Sequence, residues 1–151
     1  MDIQIFDNFL PPNQFNHIKD VMFKLDFPWH FSFGKSFGSE HETDKRIFQF
    51  VHVFYQLYTW QSQYGELLEP FLDILKPASI VKIKANLTTI TPEIIKYSDH
   101  RDTGSNLTTA LTACYYLNTN NGKTIFSNGR EVDSVENRLV LFDANMLHSG
   151  T

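Results

Sequence analysis

The hydrophobic residues in the first half of the chain recur mainly with the period of a helix. After a short predicted strand over residues 3–6, Asn13 can cap an amphipathic helix whose apolar face carries Phe15, Ile18, Met22 and Leu25. A second helix is predicted over residues 65–76, and alternation over residues 48–55 predicts a strand. Residues 27–42 have no clear period and predict a loop. This half is therefore expected to place helices against a sheet.

After residue 77 the period changes from helical to alternating. Short runs separated by turn residues predict strands over residues 80–87, 108–118, 123–127, 130–134 and 138–142. Asn128-Gly129 between two of these runs is typical of a hairpin turn. Helices first and strands afterwards predict an α+β fold that is mainly β, built as a sandwich or jelly roll. We expect a single domain over residues 1–151, with 1–77 as N-terminal support and 78–151 as the β core.

The composition is that of a globular protein, with 42% hydrophobic and 20% charged residues, so disorder is not expected. The formal net charge of −4 gives no footprint for nucleic-acid binding, and we expect no nucleic-acid partner. The single cysteine, Cys114, excludes an internal disulfide and fits a reducing cytoplasm. The chain shows neither the regions of a signal peptide nor an apolar run that could span a bilayer. We therefore predict a soluble cytoplasmic protein without a membrane partner.

The candidate chemistry lies in His100-Arg101-Asp102 and in His148. Two imidazoles and one carboxylate can occupy one face of an octahedral iron and leave the opposite face open for a co-substrate and dioxygen. About 0.7 His-x-acid pairs are expected by chance in a chain of this composition, so the motif alone carries little weight. Its context carries more. Residues 94–97 predict a strand that runs into a loop at His100, and residues two apart in a strand point to the same side.

Other interpretations of the same residues stay open. The three ligands could hold Zn or Ni in a non-redox protein, because the Irving–Williams order favours those metals over Fe(II). His148 taken alone is typical of a surface histidine near a terminus. The chain could also be a catalytically inactive jelly-roll module for binding or structure, in which case His100→Ala would leave stability and partner binding unchanged.

Further motifs accompany the candidate ligands along most of the chain. They are the opening residues 6–11, His100-x-Asp102, residues 112–118, 122–126 and 137–142, and His148. Together they resemble the Fe(II)/2-oxoglutarate-dependent dioxygenases, most closely the prolyl 4-hydroxylase-like branch with its compact phage and environmental members. The resemblance implies a double-stranded β-helix (jelly roll) with N-terminal helices packed on one sheet. For a phage-encoded member, it implies the host cytoplasm as the location.

The resemblance also implies an activity. The three candidate ligands would bind Fe(II), with 2-oxoglutarate and O2 as co-substrates. The reaction would hydroxylate an aliphatic C–H bond and oxidatively decarboxylate 2-oxoglutarate to succinate and CO2. The prime substrate is not identified, and the resemblance favours a peptidyl prolyl or similar group in a peptide or small molecule.

Individual pocket residues follow from the same resemblance. Tyr116 matches the position that binds the distal carboxylate of 2-oxoglutarate, and Thr112 and Cys114 share its parity and would line that pocket. Asn86 is a further pocket candidate, and Arg101 is a candidate substrate contact. Taken alone, Tyr116 is equally well explained as a core tyrosine. Cys114 is better explained as a small buried hydrophobe, and Asn86 as an amide that closes a strand end.

The chain departs from the family pattern at its C-terminal end. The pattern places an Arg or Lys on the last core strand, where it pairs with the distal carboxylate of 2-oxoglutarate. No residue follows Thr151, so we expect this cation and the last core strand to be missing. Either the sequence is truncated, or the domain is a metal-binding relic without turnover, or another cation substitutes. The substitutes are Lys84, Lys123 and Arg130.

Overall fold

The computed structural model describes residues 2–33, 48–102 and 109–151. Of these residues, 35% lie in strands and 17% in helices, which confirms the predicted α+β fold that is mainly β. Among the same residues, no helix has both the length and the hydrophobicity needed to cross a bilayer.

The described residues form two compact units. Residues 2–11, 91–102 and 109–151 form the sandwich unit, and residues 12–33 and 48–90 form the helix–sheet unit. The prediction of a single domain divided at residue 77 stays a prediction. The elements in chain order are β1 (Gln4–Phe6), α1 (Pro12–Met22), β2 (His30–Phe33), β3 (Phe48–Gln56), β4 (Thr59–Trp60), a 3-10 turn (Gly65–Leu68), α2 (Glu69–Leu75), β5 (Ile83–Leu87), β6 (Leu111–Tyr116), β7 (Lys123–Phe126), β8 (Glu131–Asp133), β9 (Arg138–Asp143) and β10 (His148–Gly150).

The helix–sheet unit is organised around β3. Strands β2 and β4 pair with the two ends of one edge of β3, and β5 pairs with the other edge, all antiparallel. His52 and Phe54 on β3 are buried, and both rings contact Phe27. The predicted helix over residues 65–76 is confirmed, with its first turn in 3-10 geometry. Aromatic side chains on alternate positions of a half-buried strand therefore supply much of the core of this unit.

Helix α1 is shorter than its apolar pattern predicts. It ends at Met22, and residues 23–27 form turns closed by short-range backbone hydrogen bonds. Pro28 follows, and the residue before a proline is disfavoured in helical geometry. Leu25 consequently lies outside the helix and is fully exposed, so its predicted place on the apolar face is wrong.

The predicted loop over residues 27–42 is wrong in part, because residues 30–33 form β2. The alternation of Phe31 and Phe33 is too short to predict a strand by itself. The segment forms a strand because it pairs with β3. Residues 34–42 lie outside the described residues.

The sandwich unit consists of two antiparallel sheets with strand orders β1-β9-β6 and β10-β7-β8. Side chains from both sheets form one core, namely Ile3, Phe126, Val132, Val140 and Phe142. Strands β6 to β9 confirm the predicted strands of this region, each with bounds one to a few residues different. The three residues of β10 were not predicted as a strand. They pair with β7, and this short strand carries one of the candidate ligands.

The predicted strand over residues 94–97 is wrong, since the structure has no strand there. Tyr97 instead donates one backbone hydrogen bond to the carbonyl of Gly150, and an isolated bridge follows at His100. The apolar residues Ile94 and Ile95 favoured a strand in the sequence, but Ile94 is 62% exposed and packs in no sheet.

Within the sandwich unit, the side chain of Asn137 binds the backbone of the N-terminal segment at Leu10. Its amide accepts a hydrogen bond from the N–H of Leu10 and donates one to the carbonyl of Leu10, both at 2.9 Å. The hydroxyl of Tyr115 donates to the same amide oxygen at 2.7 Å. Asn137 has φ 58°, a left-handed conformation that asparagine tolerates better than most residues.

Candidate metal centre

Backbone pairing brings the two candidate histidines side by side. His148 begins β10, and His100 lies opposite it in an antiparallel bridge. Each N–H donates to the carbonyl of the other residue, at 2.8 and 3.0 Å, and the ring centroids are 4.5 Å apart. Residues directly opposite each other in such a bridge project to the same face. The bridge therefore aims both imidazoles at one point.

Asp102 completes the site from the segment after the bridge. Its N–H donates to the carbonyl of Ala144 at 3.1 Å. Its Oδ1 lies 3.7 Å from Nε2 of His100, and its Oδ2 lies 3.6 Å from Nε2 of His148. One candidate donor atom from each of the three residues lies within 4.8 Å of the others. The three side chains thus lie close enough to bind one metal ion, which confirms that they come together as predicted.

Hydrogen bonds at the far side of each ring select the tautomer that a metal needs. Nδ1 of His148 lies 2.9 Å from the carbonyl oxygen of Met146, and Nδ1 of His100 lies 3.4 Å from that of Ser98. Because a carbonyl can only accept, each Nδ1 is the donor, and in the neutral form of the ring this leaves the lone pair on Nε2. Ligands of bound metals are oriented by the same kind of outer hydrogen bond.

Aromatic side chains close one flank of the site. The ring of His148 packs edge-on against Phe142 at 4.9 Å and lies 5.9 Å from the ring of Phe126. His148 is consequently only 7% exposed, whereas the side chain of Asp102 is 32% exposed. The site is therefore shielded from solvent behind His148 and partly exposed at Asp102.

The donor set fits a divalent transition metal. Two imidazole nitrogens and one carboxylate are the ligands of non-haem Fe(II) sites, although Zn and Ni accept them too. Cys114 lies on the neighbouring inner face of β6, where burial raises the pKa of its thiol to about 11. The thiol therefore stays protonated at neutral pH.

The three candidate pocket residues of β6 do share one face, as their parity predicts. Cys114 and Tyr116 pack against the inner core, and the hydroxyls of Tyr116 and Thr124 are 2.6 Å apart. Burial raises the pKa of the Tyr116 phenol, so it stays neutral. Thr112 donates its hydroxyl to Oδ2 of Asp102 at 2.6 Å, which places it against a candidate metal ligand. Binding of 2-oxoglutarate by these residues stays a prediction.

The remaining two predicted residues, Asn86 and Arg101, are both exposed. Asn86 lies on β5 of the helix–sheet unit, opposite Val51, and is exposed. Arg101 is also exposed, and its guanidinium donates to the carbonyl of Asn145. Their roles in binding co-substrate and substrate stay predictions.

The predicted substitute cation Lys123 belongs to the outer face of its strand. Its ammonium lies 2.8 Å from Glu131 and 3.6 Å from Asp133, and the hydrogen bond to Glu131 raises the pKa of Lys123. Thr124, the next residue, is the one that points into the core side. Lys84 lies on β5 and Arg130 in the turn between β7 and β8.

One cation beside Tyr116, Arg138, was not predicted from the sequence. Arg138 begins β9 directly opposite Tyr116, so the two side chains share a face, and the charge of Arg138 acts on the phenol. The guanidinium donates to both carboxylate oxygens of Asp7, at 2.6 and 3.1 Å. Alternation with the buried Val140 and Phe142 was the signal that could have placed Arg138 on this face.

A scan against protein-family models and a search of the curated proteins both gave no match. The resemblance to the 2-oxoglutarate dioxygenases therefore rests on the motifs of this chain alone and stays a prediction. The functional proposal below therefore depends first on the geometry of the three candidate ligands.

Proposed function

We propose that this protein is an Fe(II)/2-oxoglutarate-dependent dioxygenase that hydroxylates an aliphatic C–H bond. The observation that carries the proposal is the convergence of His100 Nε2 and His148 Nε2 on the Asp102 carboxylate, with both Nδ1 atoms turned to backbone carbonyls. Bound Fe(II), with 2-oxoglutarate and O2, supplies the oxidation: the co-substrate becomes succinate and CO2 as the substrate is hydroxylated.

The connectivity of the sandwich unit supports a double-stranded β-helix as the scaffold. Strand β6 lies in one sheet, β7 and β8 in the other, β9 in the first again and β10 in the second. Strands that change sheets in this way are typical of jelly rolls. The ligand-bearing strand β10 and its bridge to His100 lie at one edge of the second sheet, next to the shared core.

Two hydroxyls give the site a place to bind a carboxylate. Tyr116 on β6 and Thr124 on β7 approach each other from the two facing sheets. In the proposed reaction they donate hydrogen bonds to the distal carboxylate of 2-oxoglutarate, as the resemblance implies for Tyr116. The raised pKa of the phenol keeps its proton available for donation at neutral pH. Arg138 adds a positive charge close to the phenol while remaining paired with Asp7.

The other work of the protein is to orient the reacting groups and to exclude water. The rings of Phe126 and Phe142 hold the His148 ring in place and keep solvent from its buried side. A water-poor flank favours selective oxidation of the bound substrate over side reactions. The exposed side of the site, beside Asp102 and Arg101, is where the prime substrate enters in this proposal. Resemblance alone favours a peptidyl prolyl or similar aliphatic group there.

The test is release of succinate from 2-oxoglutarate by the purified protein in the presence of Fe(II) and O2. We expect slow turnover without prime substrate, and loss of it in Asp102→Ala. Asp99→Ala is a matched control, because Asp99 is an exposed carboxylate whose contact is with Lys96 at 3.8 Å. It should retain the turnover of the unmodified protein.

The outcomes separate the proposed dioxygenase from its alternatives. Saturable binding of Zn or Ni without succinate release under any metal would favour a non-redox metal protein. Absence of any saturable metal binding would favour a jelly-roll module without chemistry. Equal turnover in Asp102→Ala and Asp99→Ala would show that the succinate came from a contaminant, and the proposal would fail.

A further inference from the structure

Each candidate metal ligand has a hydrogen-bond partner outside the set of three ligands. The carbonyl of Met146 holds His148, and the carbonyl of Ser98 lies next to Nδ1 of His100. For Asp102 the corresponding partner is a side chain, the hydroxyl of Thr112, which donates to Oδ2 at 2.6 Å. The third ligand is thus oriented by a residue that can be changed by mutation without touching any ligand.

Asp102 needs this support more than the histidines do. Both histidines lie in an antiparallel bridge with two mutual hydrogen bonds. Within the described part of the chain, Asp102 has one backbone bond, to Ala144, and lies outside every strand. Its side chain is 32% exposed, so neighbouring side chains restrict its rotation little. A carboxylate on such a segment loses rotamer freedom when it binds a metal, unless a second contact has already fixed it.

Thr112 is well suited to provide that contact. It lies within β6, in register with Phe142 of β9, and the ring of Phe142 packs against the ring of His148. A β-branched side chain in a strand has a stiff χ1, so its hydroxyl is held in one direction. The pair of strands β6 and β9 therefore supports the His148 ring through Phe142 and also fixes the Thr112 hydroxyl that donates to Asp102.

We infer that Thr112 is a positioning residue that holds the Asp102 carboxylate in the orientation that faces both histidines. The hydroxyl donates to Oδ2, which also lies 3.6 Å from Nε2 of His148, so the hydrogen bond restricts rotation of the carboxylate before a metal binds. The inference rests on the proposed metal site and assigns Thr112 a role toward the ligand in place of the predicted role toward 2-oxoglutarate.

The test is titration of Co(II) into the full chain, with affinity and visible absorption spectrum as the two readouts. Thr112→Val keeps the shape and removes the hydroxyl, and Thr112→Ser keeps the hydroxyl. We expect Thr112→Val to bind Co(II) about 10- to 100-fold more weakly, with shifted d–d bands. Thr112→Ser should restore the spectrum and most of the affinity.

Thr119→Val is the matched control, because the Thr119 hydroxyl accepts from the N–H of Glu136 in an exposed turn. It should bind Co(II) like the unmodified protein. If Thr112→Val fails to fold by circular dichroism, Thr112→Ala gives the same comparison. Unchanged affinity and spectrum in the folded hydroxyl-free variant would overturn the inference and leave the metal site standing. Absence of Co(II) binding in the unmodified protein would overturn both.

Discussion

His52 in the helix–sheet unit and His148 in the sandwich unit are both buried, with 4% and 7% exposure, yet their rings are used differently. Nδ1 of His52 donates to the carbonyl of Pro28 at 2.8 Å, and its Nε2 accepts from the hydroxyl of Ser62 at 2.7 Å. His148 engages only Nδ1 with a carbonyl. Its Nε2 faces Asp102 at 3.6 Å and has no hydrogen bond among the described residues.

The difference shows that burial does not separate a structural histidine from a candidate ligand. What separates them is whether the second ring nitrogen is satisfied. His52 is closed on all sides, since Phe27 and Phe54 lie 4.5 and 4.6 Å from its ring and both nitrogens are bonded. His148 keeps one nitrogen directed at a carboxylate and a second imidazole. Two imidazoles that face one carboxylate in this way fit the binding of a cation.

The largest expected effect comes from removing the candidate ligand. His148→Ala should weaken binding of Fe(II) or Co(II) by more than about 100-fold, because a direct ligand counts for more than its outer hydrogen-bond partner. The measurement is anaerobic metal titration followed by absorbance or calorimetry. His52→Ala is the control and should retain the affinity of the unmodified protein. Equal losses in the two variants would remove the distinction between the two histidines.

The reverse experiment tests His52. His52→Ala should lower the free energy of unfolding by about 3 kcal/mol, through a cavity among aromatic rings and the loss of two hydrogen bonds. Chemical denaturation measures it, with His17→Ala on the exposed side of α1 as the control. We expect the control to stay within about 0.5 kcal/mol of the unmodified protein. A stable His52→Ala protein would mean that the closed hydrogen-bond arrangement contributes little.

Asn137 is the counterpart of His52 in the sandwich unit, a buried polar side chain whose bonds are all internal. Asn137→Gly should cost about 2 kcal/mol of unfolding free energy, because the backbone of Leu10 loses both partners. Asn137→Ala should cost about 1 kcal/mol more, since φ is 58° at this position. Asn8→Ala, with φ 52° and an exposed side chain, measures the conformational part alone. Equal stability of Asn137→Gly and the unmodified protein would contradict this role.

The smallest expected change in stability comes from the exposed ion pair between Asp7 and Arg138. The hydrogen bond from Arg138 lowers the pKa of Asp7 below its ordinary value of 3.8. A lowered folded-state pKa contributes stability above pH 3.8, and this contribution disappears as the pH falls through the folded-state value. Asp7→Asn should therefore cost about 0.5 kcal/mol near neutral pH, a small figure because the Asp7 side chain is 55% exposed. In urea titrations across pH, the gap between the proteins should close below pH 3.8; a constant gap would contradict the account.

The sequence predicts the parts of this molecule that depend on local pattern. The alternation of β6 to β9 is local, and these strands are found in the structure. His100 and Asp102 also come together, although the strand predicted to lead into them is absent. β10 is different, because three residues reading His-Ser-Gly carry no alternation and become a strand only by pairing with β7. The alternation within β9 predicts the face on which Arg138 lies. Its position next to Tyr116 depends on the register of β6 against β9, which the local pattern does not give.

The contact between Thr112 and Asp102 could not be predicted for the same reason. Its two residues are close in sequence, but their meeting depends on where the segment after the bridge passes β6. Likewise, the apolar residues 94 and 95 predicted a strand that the structure lacks, because the edge of β10 supplies only isolated backbone bonds there. Pairing partners, rather than local preference, decide such short segments.

The most direct test of the central claim is anaerobic addition of Fe(II) and 2-oxoglutarate to the purified chain, followed by visible absorption. We expect a weak, saturable metal-to-ligand charge-transfer band that persists in His52→Ala and disappears in His148→Ala. A protein that binds Fe(II) at His100, Asp102 and His148 but gives no such band would contradict the proposed use of 2-oxoglutarate at this site.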